Sequence, residues 1–154
     1  EMVDRFSYVE DESTLILFEQ LKAGLSAIEE GKDPQIITHV FEMKILELSG
    51  YSPSFYECVS CTAPTHHEYI SSALGGILCV TCLHKDSKAI NISTGTLKLL
   101  RLFQKMDIRR LGNIDVKDET RAQLKQCIRE LMDRHIGIEW RSRNFLDQMD
   151  KYGI

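Results

Sequence analysis

The chain has 154 residues, 43% of them apolar and 27% charged, with a formal net charge of −4. That length supports one core, with at most a small satellite module, and excludes two large independent domains. No run of about 18 uninterrupted apolar residues exists to cross a membrane, and the acidic stretch Glu1 to Glu12 is not the start of a signal peptide, so a soluble intracellular protein is expected.

Asp11-Glu12-Ser13-Thr14 is a helix-start signal, and Leu17, Phe18, Leu21, Leu25 and Ile28 recur at helical spacing until Gly31, predicting an amphipathic first helix buried along that stripe. Asp33-Pro34 opens a second helix, with Asp as N-cap and Pro at the first helical position, where its missing N–H costs nothing. Its expected buried stripe is Ile37, Val40, Phe41, Ile45 and Leu48, and Gly50 stops it. From Tyr51 to Ile92 the periodicity disappears. Pro53 and Pro64 punctuate the stretch and Gly75-Gly76 sits between short apolar runs, the pattern of loops and a hairpin.

Helical spacing returns at Thr94 or Thr96 and runs through Leu99, Leu100, Phe103 and Met106 to a turn at Gly112-Asn113. Asp115 is the expected cap of a fourth helix with apolar face Leu124, Cys127, Ile128, Leu131 and His135, stopped by Gly137. A short last helix starting at Ser142 or Asn144 would set Phe145, Leu146 and Met149 against the rest. The predicted fold is mainly α: a helical bundle of about five helices, residues 1–55 and 93–154, interrupted by a small four-cysteine zinc module with a short β-hairpin, residues 56–92.

Cys58-x2-Cys61 and Cys79-x2-Cys82 lie 17 residues apart, inside the spacing of a four-cysteine zinc site. A two-residue gap lets each pair curl around one side of an ion, and soft thiolates suit Zn2+ without oxygen ligands. Two disulfides, disfavoured for an intracellular chain, and four unconnected thiols are the competing readings. Four thiolates leave no position for water, so the expected zinc is structural, one per chain, and not catalytic. They also add about −2 to the formal charge, which argues against the knuckles gripping phosphates. His66, His67 and His84 read as surface residues, and Cys127, among leucines, as a buried apolar one.

Charge is asymmetric: residues 1–57 carry 4 basic and 12 acidic side chains, net −8, whereas residues 97–143 carry 12 basic and 7 acidic, net +5. A polyanion would therefore meet the second half. Lys98, Arg101, Lys105 and Arg109 are spaced 3, 4 and 4 apart, as on one helix face, and Lys117, Arg121, Lys125 and Arg129 recur every four residues. Two such stripes make a candidate DNA face. Interleaved Asp118, Glu119, Glu130 and Asp133 fit ordinary solvated faces equally well. Arg141 and Arg143 beside Phe145 suit an anionic ligand with an apolar anchor, or bridge to Asp147 or Glu139. No phosphate loop or catalytic set is recognisable, so no enzymatic activity is expected.

Several weak motifs stand in a specific order: Phe41-Glu42-Met43-Lys44-Ile45-Leu46 leading to Gly50-Tyr51-Ser52-Pro53, the first cysteine pair, Gly75-Gly76-Ile77-Leu78-Cys79 with Cys82, Ser93-Thr94-Gly95-Thr96-Leu97-Lys98-Leu99-Leu100, and Arg141-Ser142-Arg143-Asn144-Phe145-Leu146. In this order the chain resembles the RecO family, the bacterial recombination protein O. The resemblance implies a DNA repair and recombination mediator of the bacterial cytoplasm, nucleoid-associated, in which an oligonucleotide-binding barrel precedes a helical part with a four-cysteine zinc module. With Glu at position 1, the chain reads as a piece of such a protein, following the barrel. Implied partners are single- and double-stranded DNA, RecR and the acidic C-terminal tail of single-stranded DNA-binding protein, with no membrane. The tail would dock on the second helix, with Val40, Phe41 and Ile45 lining an apolar pocket and His39 as cationic partner, a position where some relatives are expected to carry Arg. The alternative is a free-standing zinc-dependent DNA-binding module whose knuckles, with Arg141 and Arg143, touch phosphates directly.

Overall fold

In the computed structural model, which describes residues 1–6, 12–64, 69–138 and 140–152, the chain runs through α1 (Met2–Phe6), α2 (Glu12–Glu29), α3 (Pro34–Leu48), β1 (Tyr69–Ser71), β2 (Gly76–Leu78), a 3₁₀ turn (Val80–Lys85), β3 (Ile90–Asn91), α4 (Thr94–Lys105), a second 3₁₀ turn (Ile108–Arg110), α5 (Asp118–His135) and α6 (Arg141–Tyr152). The protein is mainly helical with a small antiparallel sheet, as its periodicities predict. Asp11, His66, His67 and Glu139, named above, lie outside the described residues.

The organising element is α3. Its cap is the expected one: the Asp33 carboxylate accepts from the backbone N–H of Gln35 at 2.8 Å and of Ile36 at 3.3 Å, supplying acceptors that a helix start otherwise lacks. The same carboxylate pairs with Arg121 of α5 at 2.6 Å, so one residue both starts α3 and joins it to its neighbour. Nine of the residues of α3 are buried, including His39 and Glu42. It packs against α2, α4 and α5. Ser93 caps α4 by accepting from Thr96 N–H at 3.1 Å. Gln123 of α5 ties that cap down, accepting from Ser93 N–H at 2.9 Å and the Thr96 hydroxyl at 2.6 Å.

The loop-rich stretch folds into a three-stranded sheet of order β2-β1-β3, one strand more than the expected hairpin. Tyr69 pairs with Leu78 and with Asn91, so β1 is central. Ile70 and Ile77 enter the same buried cluster as the helices, whereas Leu78 packs with Cys58 and Cys82. The loop-rich stretch is fastened to the bundle by side chains of α4 and α5. Arg101 Nε donates to the Phe55 carbonyl at 2.7 Å, Gln104 Nε2 donates to the Pro53 carbonyl at 2.7 Å, and the His135 ring, stacked 3.5 Å from Tyr51, places Nε2 2.8 Å from the Ser72 carbonyl oxygen.

Four sequence expectations change. The buried side of α2 is Leu17, Gln20, Gly24 and Ala27, while Phe18, Leu25 and Ile28 are exposed. Small residues win because α2 lies close on α3: a Cβ at Gly24 would sit 3.1 Å from Ile37 Cγ2. Second, α4 stops at Lys105, because Asp107 caps the 3₁₀ turn and Ile108 is drawn into the core, its N–H donating to buried Gln20 Oε1 at 3.0 Å. Third, α5 starts at Asp118, with Lys117 and not Asp115 at the cap position; buried Leu111 and Val116 hold the preceding segment against the core. Fourth, α6 starts at Arg141 and leaves Phe145 and Leu146 exposed, because Arg143 and Asp147 are the residues it turns toward the bundle. Among the described residues no helix is long and apolar enough to cross a membrane.

Several carboxyls are held below the ordinary range, among them Asp107 by Arg109, Asp147 by Arg129 and Asp86 by the Ser71 hydroxyl. A carboxyl whose pKa is depressed on folding contributes stability above its unfolded value, and the contribution is lost as pH falls through the folded one. The melting temperature should accordingly be level from pH 7 to 5 and fall below about 4; a level profile down to pH 3 would contradict this.

Candidate metal centre and cationic cleft

The two cysteine pairs are presented by tight turns. Thr62 N–H donates to the Cys58 carbonyl at 2.8 Å and Cys58 N–H to the Ala63 carbonyl at 2.9 Å, with Thr62 in the left-handed region at φ 56°. On the other side Cys82 N–H donates to the Cys79 carbonyl at 3.0 Å. The four sulfurs lie within 4.8 Å of one another, and Cys61 and Cys79 sulfurs are 3.7 Å apart. A tetrahedral ion with metal–sulfur bonds of about 2.3 Å requires sulfurs about 3.8 Å apart, so the spacing fits an ion and is far too long for a disulfide. All five cysteines are free thiols. Cys79 N–H also points at the Cys58 sulfur, 3.4 Å away, the kind of backbone donor that screens thiolate charge.

The Thr81 hydroxyl draws the Cys79 thiol down to about 6, whereas burial pushes Cys127, in the helical core, up to about 12. Cys127 is therefore an inert apolar filler, whereas the Thr81 hydroxyl favours the thiolate form of Cys79. His84 is exposed, its Nδ1 2.8 Å from the Thr81 carbonyl oxygen, and does not belong to the sulfur cluster.

The basic residues do not form one surface. Lys98, Arg101 and Lys105 do share α4. Arg101 and Lys105 lie 5.0 and 4.7 Å from the ring centre of half-exposed Tyr56, making a cation–π cluster beside the cysteine turns. Arg109 leaves that face with the second 3₁₀ turn, where Asp107 holds its Nε at 3.0 Å and its Nη2 at 2.5 Å. On α5, Arg121 is paired with Asp33, and Lys125 and Arg129 with Asp147 at 3.3 and 2.8 Å. Most of that stripe therefore joins helices together.

Arg141 is exposed at the start of α6, and its backbone N–H donates to Glu1 Oε1 at 3.1 Å. Arg143, by contrast, is largely covered: it pairs with Asp133, and its Nη2 lies 3.7 Å from Glu42 Oε1 with no hydrogen-bond partner. Glu42 in turn holds His39 Nδ1 at 3.0 Å. The opposite ring nitrogen, His39 Nε2, is buried and also unpartnered. An unsatisfied buried nitrogen is costly, so two beside one carboxylate mark a place where polar chemistry is expected.

These groups border a cleft of about 310 Å³ between α3, α5 and α6, its walls including His39, Lys125, Arg129, Arg143, Leu146 and Asp147. None of the four cysteines lines it. Of the residues expected to form a docking pocket, only His39 is there. Val40, Phe41 and Ile45 are 0, 8 and 1% exposed and pack into the core. Sequence reasoning missed Glu42 and the role of Asp147. The i, i+3 spacing of His39 and Glu42 on one helix was the available signal.

A family model described as "Recombination protein O C terminal" matches residues 1–144. The chain is similar to proteins called DNA repair protein RecO from Halalkalibacterium halodurans, 39% identical over 90% of this chain and 54% of that protein, and from Bacillus subtilis, 38% identical over 97% and 58%. The RecO of Shouchella clausii is 36% identical over 99% of this chain and 60% of its own length. The chain thus spans about half the length of the curated relatives it matches. No solved structure matches it.

Proposed function

This chain belongs to the recombination protein O C-terminal family, and from that premise we propose that it is the partner-docking, zinc-braced part of a bacterial cytoplasmic DNA-repair mediator, with no reaction of its own. The family carries a DNA repair and recombination role. The finer reading rests on one observation: a cleft with an apolar edge and four cationic or imidazole groups, two of them with buried nitrogens that have no hydrogen-bond partner. That chemistry suits a peptide carrying carboxylates and an apolar terminal residue, the character of the tail of single-stranded DNA-binding protein.

The ion at Cys58, Cys61, Cys79 and Cys82 is Zn2+, structural, one per chain. It closes the turns of residues 56–92, which own too small a core to hold themselves, and so keeps Tyr51, Phe55 and the sheet seated on α4 and α5. DNA, single- or double-stranded, meets Lys98, Arg101 and Lys105 around Tyr56, with Arg109 and Arg141 as outlying contributors and Arg143 belonging to the cleft.

Two titrations test this. A fluorescent acidic peptide ending in an aromatic residue should bind in the micromolar range, and Lys125→Glu should weaken it by at least about tenfold, 1.4 kcal/mol, with only a small drop in melting temperature because its pair with Asp147 is partly exposed. No binding by the unmodified chain would end the docking reading. For DNA, reversing Lys98 and Lys105 to Glu should lower the salt slope of oligonucleotide binding by about 2, one per lost phosphate contact. An unchanged slope would remove α4 from the DNA face.

A further inference from the structure

The helix that closes the cleft is held in an unusual way. None of the described side chains of α6 is buried, and Phe145, Leu146 and Tyr152 are 62, 56 and 67% exposed. Its ties to the bundle are polar: Asp147 to Arg129 and Lys125, and Arg143 to Asp133 and Glu42. A helix normally stays in place by burying an apolar stripe; partly exposed ion pairs are weak and screened by salt. It follows that the part of α6 carrying Leu146 and Asp147 is loosely held, whereas Arg143, largely covered beside buried Glu42, anchors its start.

What it covers is equally specific. Asp147 presents a carboxylate oxygen to a guanidinium at 2.8 Å and an ammonium at 3.3 Å, and the adjoining Leu146 lines the same cleft. An apolar side chain next to a carboxylate is also the chemistry of the peptide proposed above for this cleft. Arg129 and Lys125 can answer one carboxylate or the other. We infer that this part of α6 is a displaceable strap in which Leu146 and Asp147 stand in the place of the acidic peptide, so that the ligand enters by exchanging its own carboxylate for that of Asp147.

This inference rests on the docking reading and adds a regulation to it: apparent affinity is reduced by the fraction of molecules whose strap is closed. A reporter is built in. Trp140 is the chain's single tryptophan, 2% exposed, and it directly precedes α6. Displacing the helix should bring its indole toward water.

The test is the same labelled acidic peptide titrated into the chain and two variants, with Trp140 emission followed in parallel. Asp147→Asn should bind the peptide at least about fivefold more tightly and start with red-shifted emission, whereas the unmodified chain should shift to the red only on adding peptide. Because Asp147→Asn also removes a negative charge, Leu146→Ser supplies the control: it leaves charge alone, and under a strap it too should tighten binding. Tightening by Asp147→Asn together with weakening by Leu146→Ser would make Leu146 a wall of the site and Asp147 a simple repulsive charge, overturning the strap. So would binding by the unmodified chain with no gain in either variant and no movement of the Trp140 signal; in both cases the docking reading survives. Absence of binding in all three proteins overturns the docking reading and the strap with it.

Discussion

Replacing Cys58 by serine should abolish metal binding at the four-cysteine cluster and release residues 56–92 from the bundle. Cys58 is fully buried, packed with Leu78 and Cys82, and its sulfur receives the Cys79 N–H. A serine hydroxyl is a hard, protonated group that does not replace a thiolate on a soft-ligand site. The cluster around the sulfurs is too small to persist alone, and structural zinc supplies on the order of 10 kcal/mol in such modules. Metal affinity should fall at least about a hundredfold, beyond what even outer-shell losses cause. The damage then spreads, because Ile70 and Ile77, 1 and 0% exposed, belong to the helical core. Uncovering two such side chains costs roughly 3–6 kcal/mol, or roughly 10–20 °C of melting temperature for a chain of this size. Metal content and a thermal melt decide it. A variant that keeps one zinc per chain and melts with the parent would show that the cysteines do not brace the fold.

Gly76→Ala should be the most damaging single methyl that can be added to the described glycines. A Cβ there would stand 2.2 Å from the Ser54 carbonyl oxygen and 2.7 Å from Val59 Cγ1. Ser54 cannot yield freely: its N–H donates to the Gly75 carbonyl at 3.0 Å and its carbonyl accepts from Ile77 N–H at 2.8 Å. Forcing this chain away from β2 loses both bonds at about 1 kcal/mol each and adds an overpacking cost of 1–3, about 4 kcal/mol in all. Gly112→Ala, where a Cβ meets nothing within 4 Å, is the matched control and should be neutral or slightly stabilising. Denaturant unfolding of the two variants separates them. Equal midpoints would mean that β2 and the segment at Ser54 are not closely paired.

The same pair of glycines shows how far sequence reading reached. Gly75-Gly76 between apolar runs predicts a turn, and Gly75, at φ +82°, does serve one. The need for Gly76 comes from Ser54, more than 20 residues earlier, and no local pattern carries it. The first helix gives the converse case. Its periodic stripe marks a real amphipathic helix, yet only Leu17 and Leu21 of it face the core while Phe18, Leu25 and Ile28 point outward. The packed face is chosen by Gly24 fitting under Ile37 and by Gln20 reaching Asp107 and Ile108.

Sequence alone determined the quantities that depend on neighbours along the chain. These are the cap at Asp33, the approximate extents of the longer helices, and the four thiols, whose two-residue gaps dictate tight turns that bring the sulfurs together. Tertiary structure alone decided which charges are free and which are spent. The regular basic spacing on α5 promised a phosphate face, but Arg121 is committed to Asp33, and Lys125 and Arg129 to Asp147. Likewise Val40, Phe41 and Ile45 promised a pocket and instead fill the core, while the cleft formed where α6 crosses α3 and α5. The physical reason is common to both: a helical period fixes the angle between side chains on one helix, whereas partner charges and covering surfaces arrive from other helices, at distances the period does not encode.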